Sequence, residues 1–156
     1  MEGIEPMVAL AEIVDRLEQF RRGGALRHEG GERALRGFLV TGFFMRALSW
    51  PWERLVLGES LDLLAVDWRD QPVFYVETKS PDQALVARHR EEVAGRLHRW
   101  GSFRFAVLTN GKHWERFDDL TLRPLRPSAT LVLDRPTAPA EFLAPLHARH
   151  YLPEVP

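Results

Sequence analysis

Hydrophobic positions change their spacing several times along the chain, and each change marks an element. Residues 6–21, PMVALAEIVDRLEQFR, bring Met7, Leu10, Val14, Leu17 and Phe20 near one helical face, with Pro6 suited to a first turn and Gly23-Gly24 to a stop. A second helix runs through ERALRGFLVTGFFMRALSW, apolar enough to be mostly buried, and ends before Pro51, which disfavours helical geometry in the residue preceding it. RLVLG, LDLLAV and PVFYVETK are short runs of branched and aromatic residues separated by turn formers, and they predict three strands in an antiparallel meander. Helical spacing returns in DQALVARHREEVAGRLHRW, with Leu85, Val93 and Leu97 on one side and Ser80 or Asp82 as its cap. FRFAVLTNGKHWERF predicts a hairpin turning on Asn110-Gly111. A proline-punctuated stretch from Leu122 to Pro127, a strand in ATLVLD and a short helix over 140–150 complete the chain.

This order predicts an α/β fold: a mixed β-sheet containing an antiparallel three-strand meander, with a helix crossing over to the next strand. At 156 residues the chain is expected to form one domain, with an N-terminal helix over 1–24, a core over 29–134 and a C-terminal helix and tail over 135–156. The formal net charge of -1 argues against a global basic field, so a phosphate-bearing partner has to be held locally. The absence of cysteine removes disulfides and thiolate ligands, leaving Asp, Glu or His for any metal. No signal pattern and no apolar run near the roughly 20 residues that span a bilayer is present, so the expected location is cytoplasmic, with no membrane partner.

The stretch VFYVETKSP carries the candidate chemistry. It is apolar on both faces through Val76, as in a central strand, and then places Glu77 and Lys79 at its end on a shared face. A hairpin turning about the Arg69–Asp70 bond sets Asp62 opposite Glu77, where two carboxylates about 5 Å apart work against folding unless a cation lies between them. Lys79 is also unusual for this chain, in which all but two of the 21 basic side chains are arginine, the exceptions being Lys79 and Lys112. A lysine in that setting supplies a compact point charge or a deprotonatable amine.

Asp62, fourteen intervening residues and then Glu77-Thr78-Lys79, on a hairpin between two helices, resemble the site of the PD-(D/E)XK nuclease superfamily. With the helix GGERALRGFLVTGFFMRALSW before it and VLTNGKHWERFD after it, the chain is similar to the N-terminal nuclease domain of type I restriction enzyme R subunits from about Glu29 to Asp134. The resemblance implies a restriction-endonuclease-like core and a Mg²⁺-dependent endonuclease acting on DNA in a restriction or defence context, with Mn²⁺ able to substitute. It implies that Asp62, Glu77 and the Thr78 carbonyl hold the metal, while Lys79 orients the attacking water and steadies the charge on the phosphorane; a buried lysine amine also suits a proton acceptor. Glu32 matches the acidic residue that the superfamily often carries on its first core helix, and Glu29 has an equal claim. Leu61 stands where the superfamily's name has proline, and the helix after the motif lacks a Gln-x-x-x-Tyr pattern. The chain also lacks the GxxxxGK[ST] loop of an ATP-driven motor, so it is expected to be a stand-alone relative or a piece of a larger system. The alternative reading is a catalytically silent DNA-binding or assembly module of the same fold.

Arg88 and Arg90, in the basic run Arg88 to Arg99, and Lys112 in the hairpin turn are candidates for contact with the DNA backbone. The six histidines lack ligand spacing beyond loose pairs and are expected at the surface or at interfaces. The apolar face of the first helix is expected to cover the core, with pairing to a second copy or a larger restriction complex as the alternative.

Overall fold

The structure, a computed structural model, describes residues 5–24, 28–58, 61–100, 102–133 and 139–156. Helix α1, Pro6–Arg22, opens where the Glu5 carboxylate accepts the Val8 N–H at 3.0 Å and closes at Gly23-Gly24. Its buried residues are Ala9, Leu10, Ile13 and Leu17, so the inward stripe is turned from the expected line and leaves Phe20 exposed. Helix α2, His28–Phe38, does not continue as one α-helix but widens into a π-helical segment, Leu39–Met45. Wider winding changes the phase of the helix. Leu35, Leu39, Phe43 and Phe44 are all buried in the core, while Glu32 and Arg36 stay half-buried toward the sheet's end. Ser49, at φ 62°, then breaks the chain before Trp50-Pro51.

Six strands form one sheet in the order β1-β2-β3-β4-β5-β6. Strands β1 (Leu55–Val56), β2 (Leu63–Val66) and β3 (Pro72–Thr78) form the expected antiparallel meander. Helix α3, Ala87–Trp100, crosses to β4 (Phe105–Thr109), which runs parallel to β3. Strands β5 (His113–Phe117) and β6 (Ala129–Val132) follow antiparallel. Helix α4, Pro139–Leu143, and two 3₁₀ turns end the chain where a longer helix was expected, because Pro145 and the extended His147 interrupt it. One face of the sheet packs Leu63, Phe74, Val76, Val107 and Trp114 against α1, α2 and the C-terminal turns. The other packs Tyr75, Ala106 and Leu108 beneath Val93 and Leu97 of α3. Covered on both sides, β4 is buried along its length and β3 from Val73 onward. No helix among the described residues is long and apolar enough to cross a membrane.

Two connections differ from expectation. Helix α3 starts at Ala87, not near Asp82, because Ser80 donates to Asp82 and the Asn110 side chain donates to the Gln83 carbonyl at 2.6 Å, holding the preceding segment in turns. The β4–β5 register, with Thr109 opposite Trp114, centres the hairpin on Gly111-Lys112 and leaves Asn110 before the turn. There its side-chain oxygen accepts the N–H groups of Lys112 and His113 at 3.1 and 2.8 Å.

Gly111 has φ 97°, and a Cβ there would lie 3.2 Å from Leu35 Cδ1. Gly111→Ala is therefore expected to cost about 1–3 kcal/mol in urea denaturation. A variant as stable as the parent would show that the turn relaxes to another geometry.

Candidate functional site

The end of β3 is where the sheet gathers charge. The β2–β3 register pairs Leu63 with Val76 and Leu64 with Tyr75, and its continuation past β2 brings Asp62 opposite Glu77 as expected, but the turn itself closes with Val66 opposite Pro72, and an irregularity between Ala65 and Val66 restores the pairing. The facing is not a symmetrical clash. Asp62 Oδ2 accepts the Thr78 N–H at 2.8 Å and the Thr78 hydroxyl at 3.0 Å, while Oδ1 lies 2.9 Å from Arg36 Nη2 of α2. Glu77, only 5% exposed, bears the strain. Burial and then the charge of Asp62 push its carboxyl up to about 7, against the opposing pull of Lys79.

Lys79 lies 3.3 Å from Glu77 and also bonds Glu92, a residue of α3 that pattern reading did not single out. Burial pulls the Lys79 ammonium down, but its bonds to Glu92 and Glu77 outweigh that and hold it above its ordinary value. In the metal-free protein these bonds favour the ammonium form of Lys79. His89 corrects the expectation of surface histidines. It is 2% exposed, its Nδ1 accepts the Val86 N–H at 3.2 Å where α3 begins, and burial followed by the Lys79 charge lowers its pKa.

Glu32 lies on α2, 3.6 Å from Arg36, so that Arg36 joins it to Asp62. The close approach of α2 to the chain after Lys79 depends on Gly31, where a Cβ would meet Pro81 Cδ and Ser80 Oγ at 3.3 Å each. The side chain of Glu29 lies outside the described residues. Arg88 is exposed on α3. Arg90 is committed elsewhere, its Nε and Nη2 donating to Glu115 at 2.7 and 2.6 Å, which ties α3 to β5. Lys112 is exposed at the hairpin turn, 3.8 Å from Glu18 of α1. These last three residues do not converge with Asp62 and Glu77 in any contact of the structure.

Among the described residues, no cluster of three or more His, Cys, Asp or Glu stands ready for a metal. Asp62 and Glu77 nonetheless fit Mg²⁺ by chemistry. They are hard oxygen donors whose mutual repulsion raises Glu77, and Mg²⁺ is commonly held by one or two carboxylates while keeping its remaining ligands as water. A role for Thr78 in that set rests on its carbonyl oxygen, since its N–H and hydroxyl are committed to Asp62.

The fold is similar to that of a chain in a cryo-EM structure of a DrdV–DNA complex, with a TM-score of 0.58 and 14% identity over 90% of this chain and 96% of that one. No protein-family model and no curated protein matches the chain.

The Glu77 carboxyl titrates above its ordinary 4.5, so between about pH 4.5 and pH 7 the folded state binds more protons than the unfolded one, and stability falls as pH rises through that window. Glu77→Gln is expected to stabilise the chelator-treated protein by about 1–3 kcal/mol at pH 8, and to lose that advantage near pH 4.5. Urea denaturation at the two pH values measures both; equal differences at each would mean that Glu77 carries no such penalty.

Proposed function

We propose that the chain is a Mg²⁺-dependent endonuclease-like domain that hydrolyses DNA phosphodiester bonds, built on a restriction-endonuclease-like core of the PD-(D/E)XK kind. The observation that carries the reading is the pairing of Asp62 with a buried Glu77 raised to about 7, with the Lys79 ammonium 3.3 Å away. Two carboxylates forced together at a strand end suit a shared divalent cation, and a lysine held charged beside them suits the negative charge that develops on a phosphorane. The fold likeness to a chain from a DNA complex supports DNA as the polymer. A restriction or defence setting, in which this domain acts beside other subunits or as a homodimer, is the part of the proposal that rests on the sequence resemblance to type I restriction enzyme R subunits.

In this reading Asp62 and Glu77, with the Thr78 carbonyl, hold the metal, and Thr78 also fixes the orientation of Asp62 through two hydrogen bonds. Bound Mg²⁺ would neutralise phosphate charge and lower the pKa of a water. Lys79 donates toward the attacked phosphate group and the water, and Glu92 holds its ammonium in place. Glu32 acts from α2 through Arg36. The exposed Arg88 and Lys112 are placed to meet backbone phosphates, whereas Arg90 serves the α3–β5 tie. One observation favours the non-cleaving alternative: both oxygens of Asp62 already have partners within the chain.

Supercoiled plasmid incubated with the protein and Mg²⁺ decides between them. Wild type is expected to nick the plasmid and chelator to abolish nicking, while Lys79→Ala and Asp62→Asn are each expected to lose at least about a hundredfold in rate, as for loss of a charge-stabilising group. Equal nicking by wild type and Lys79→Ala would mark a contaminant and end the nuclease reading.

A further inference from the structure

Arg36 is the one cation that the described structure places on Asp62, and the way it is held differs from that of Arg90 and Arg116, the arginines that tie elements together. Arg90 grips Glu115 with Nε and Nη2 together at 2.7 and 2.6 Å, and Arg116 takes Asp118 at 2.8 and 3.2 Å while its Nη1 donates to the carbonyls of Glu141 and Phe142. These are two-point grips that use the guanidinium fork fully. Arg36 touches Asp62 through Nη2 alone, the same atom lies 3.6 Å from Glu32, and the buried Nε has no hydrogen-bond partner among the described residues. A buried N–H left without a partner costs about 1–3 kcal/mol, so a one-point contact that keeps it buried is a weak hold beside those of Arg90 and Arg116.

We infer that Arg36 is a displaceable counter-ion: it holds Asp62 in the metal-free protein and competes with the divalent cation for that carboxylate. The inference rests on the metal reading of Asp62 and Glu77 given above. The contact at Asp62 Oδ1 is the one a cation would take over, because Oδ2 is bound by the Thr78 N–H and hydroxyl and keeps those bonds in either state. Glu32, one helical turn before Arg36, gives the guanidinium a carboxylate to keep when Asp62 is withdrawn, so the exchange moves a side chain and leaves α2 in place. Arg36 is thus a positioning residue. It prevents Asp62 and Glu77 from facing each other unscreened, and it sets the metal concentration at which the site fills.

Calorimetric titration with Mn²⁺ tests this on the whole chain, comparing wild type with Arg36→Met, which keeps the apolar stem and removes the charge. Arg36→Met is expected to bind Mn²⁺ about tenfold more tightly, and to melt lower than wild type in chelator because Asp62 then lacks its partner. An affinity unchanged or reduced overturns the inference, since an arginine with only a structural role would leave binding equal or weaken it. If Mn²⁺ binds wild type and the variant alike, Arg36 alone is misassigned; if it binds neither, the metal reading of the site falls and this inference with it. Should Arg36→Met fail to fold, Arg36→Gln, which retains a hydrogen-bonding end, carries the same comparison with the same expected direction.

Discussion

Glu77 sits at the end of a strand sealed by helices on both faces, and a carboxylate in that position is costly wherever its neighbours lie. Burial and the Asp62 charge together raise it to about 7, and the adjacent Lys79 does not cancel them. Much of the surrounding architecture can be understood as a response to that cost. Asp62 is turned so that Thr78 and Arg36 take its oxygens, which directs its charge partly away from Glu77. Lys79 is anchored from the far side by Glu92, so it stands beside Glu77 as a fixed cation and not as a mobile one. The ladder from β2 through β4 makes these positions rigid, because a one-residue slip in the register would send Glu77 to the opposite face.

The part of this arrangement that depends on strands was legible in the sequence. Side-chain alternation has a period of two, so Asp62 could be set against Glu77 and the apolar run through Val76 marked β3 as central, although the turn closes with Val66 on Pro72 and only an irregularity beside Ala65 brings the strands into that register. What helices contribute was not legible. Arg36 reaches Asp62 because α2 docks closely at Gly31 and then changes to π winding at Leu39, and neither feature has a period that can be read from residue types. Glu92 and His89 belong to a helix with charged residues around much of its circumference, and only its start at Ala87 and its packing over Tyr75 decide which of them turn inward. Arg90 looked like a phosphate contact because its partner Glu115 lies 25 residues away on another element. The hairpin turn was misplaced by one residue because Asn110 bonds two N–H groups ahead of it, which moves it out of the turn it signals.

The choice of cation differs between acids. Glu115 and Asp118 are each held by an arginine in a two-point grip. Lysine appears between Glu77 and Glu92, where a compact ammonium can serve two acids at once and still present a donor.

On the proposed reading, the same electrostatics explain how a chain of net charge -1 could act on a polyanion. Around the end of β3, Asp62 and Glu77 lie against Arg36 and Lys79, cations that are themselves shared with Glu32 and Glu92. A phosphodiester approaching the paired carboxylates of Asp62 and Glu77 meets negative charge at short range, where screening by salt is weakest. A divalent cation at Asp62 and Glu77 reverses the local sign. Filling the metal site and admitting the substrate would then be one electrostatic event, which would confine cleavage to the metal-loaded state of a chain whose net charge supplies no global attraction for DNA.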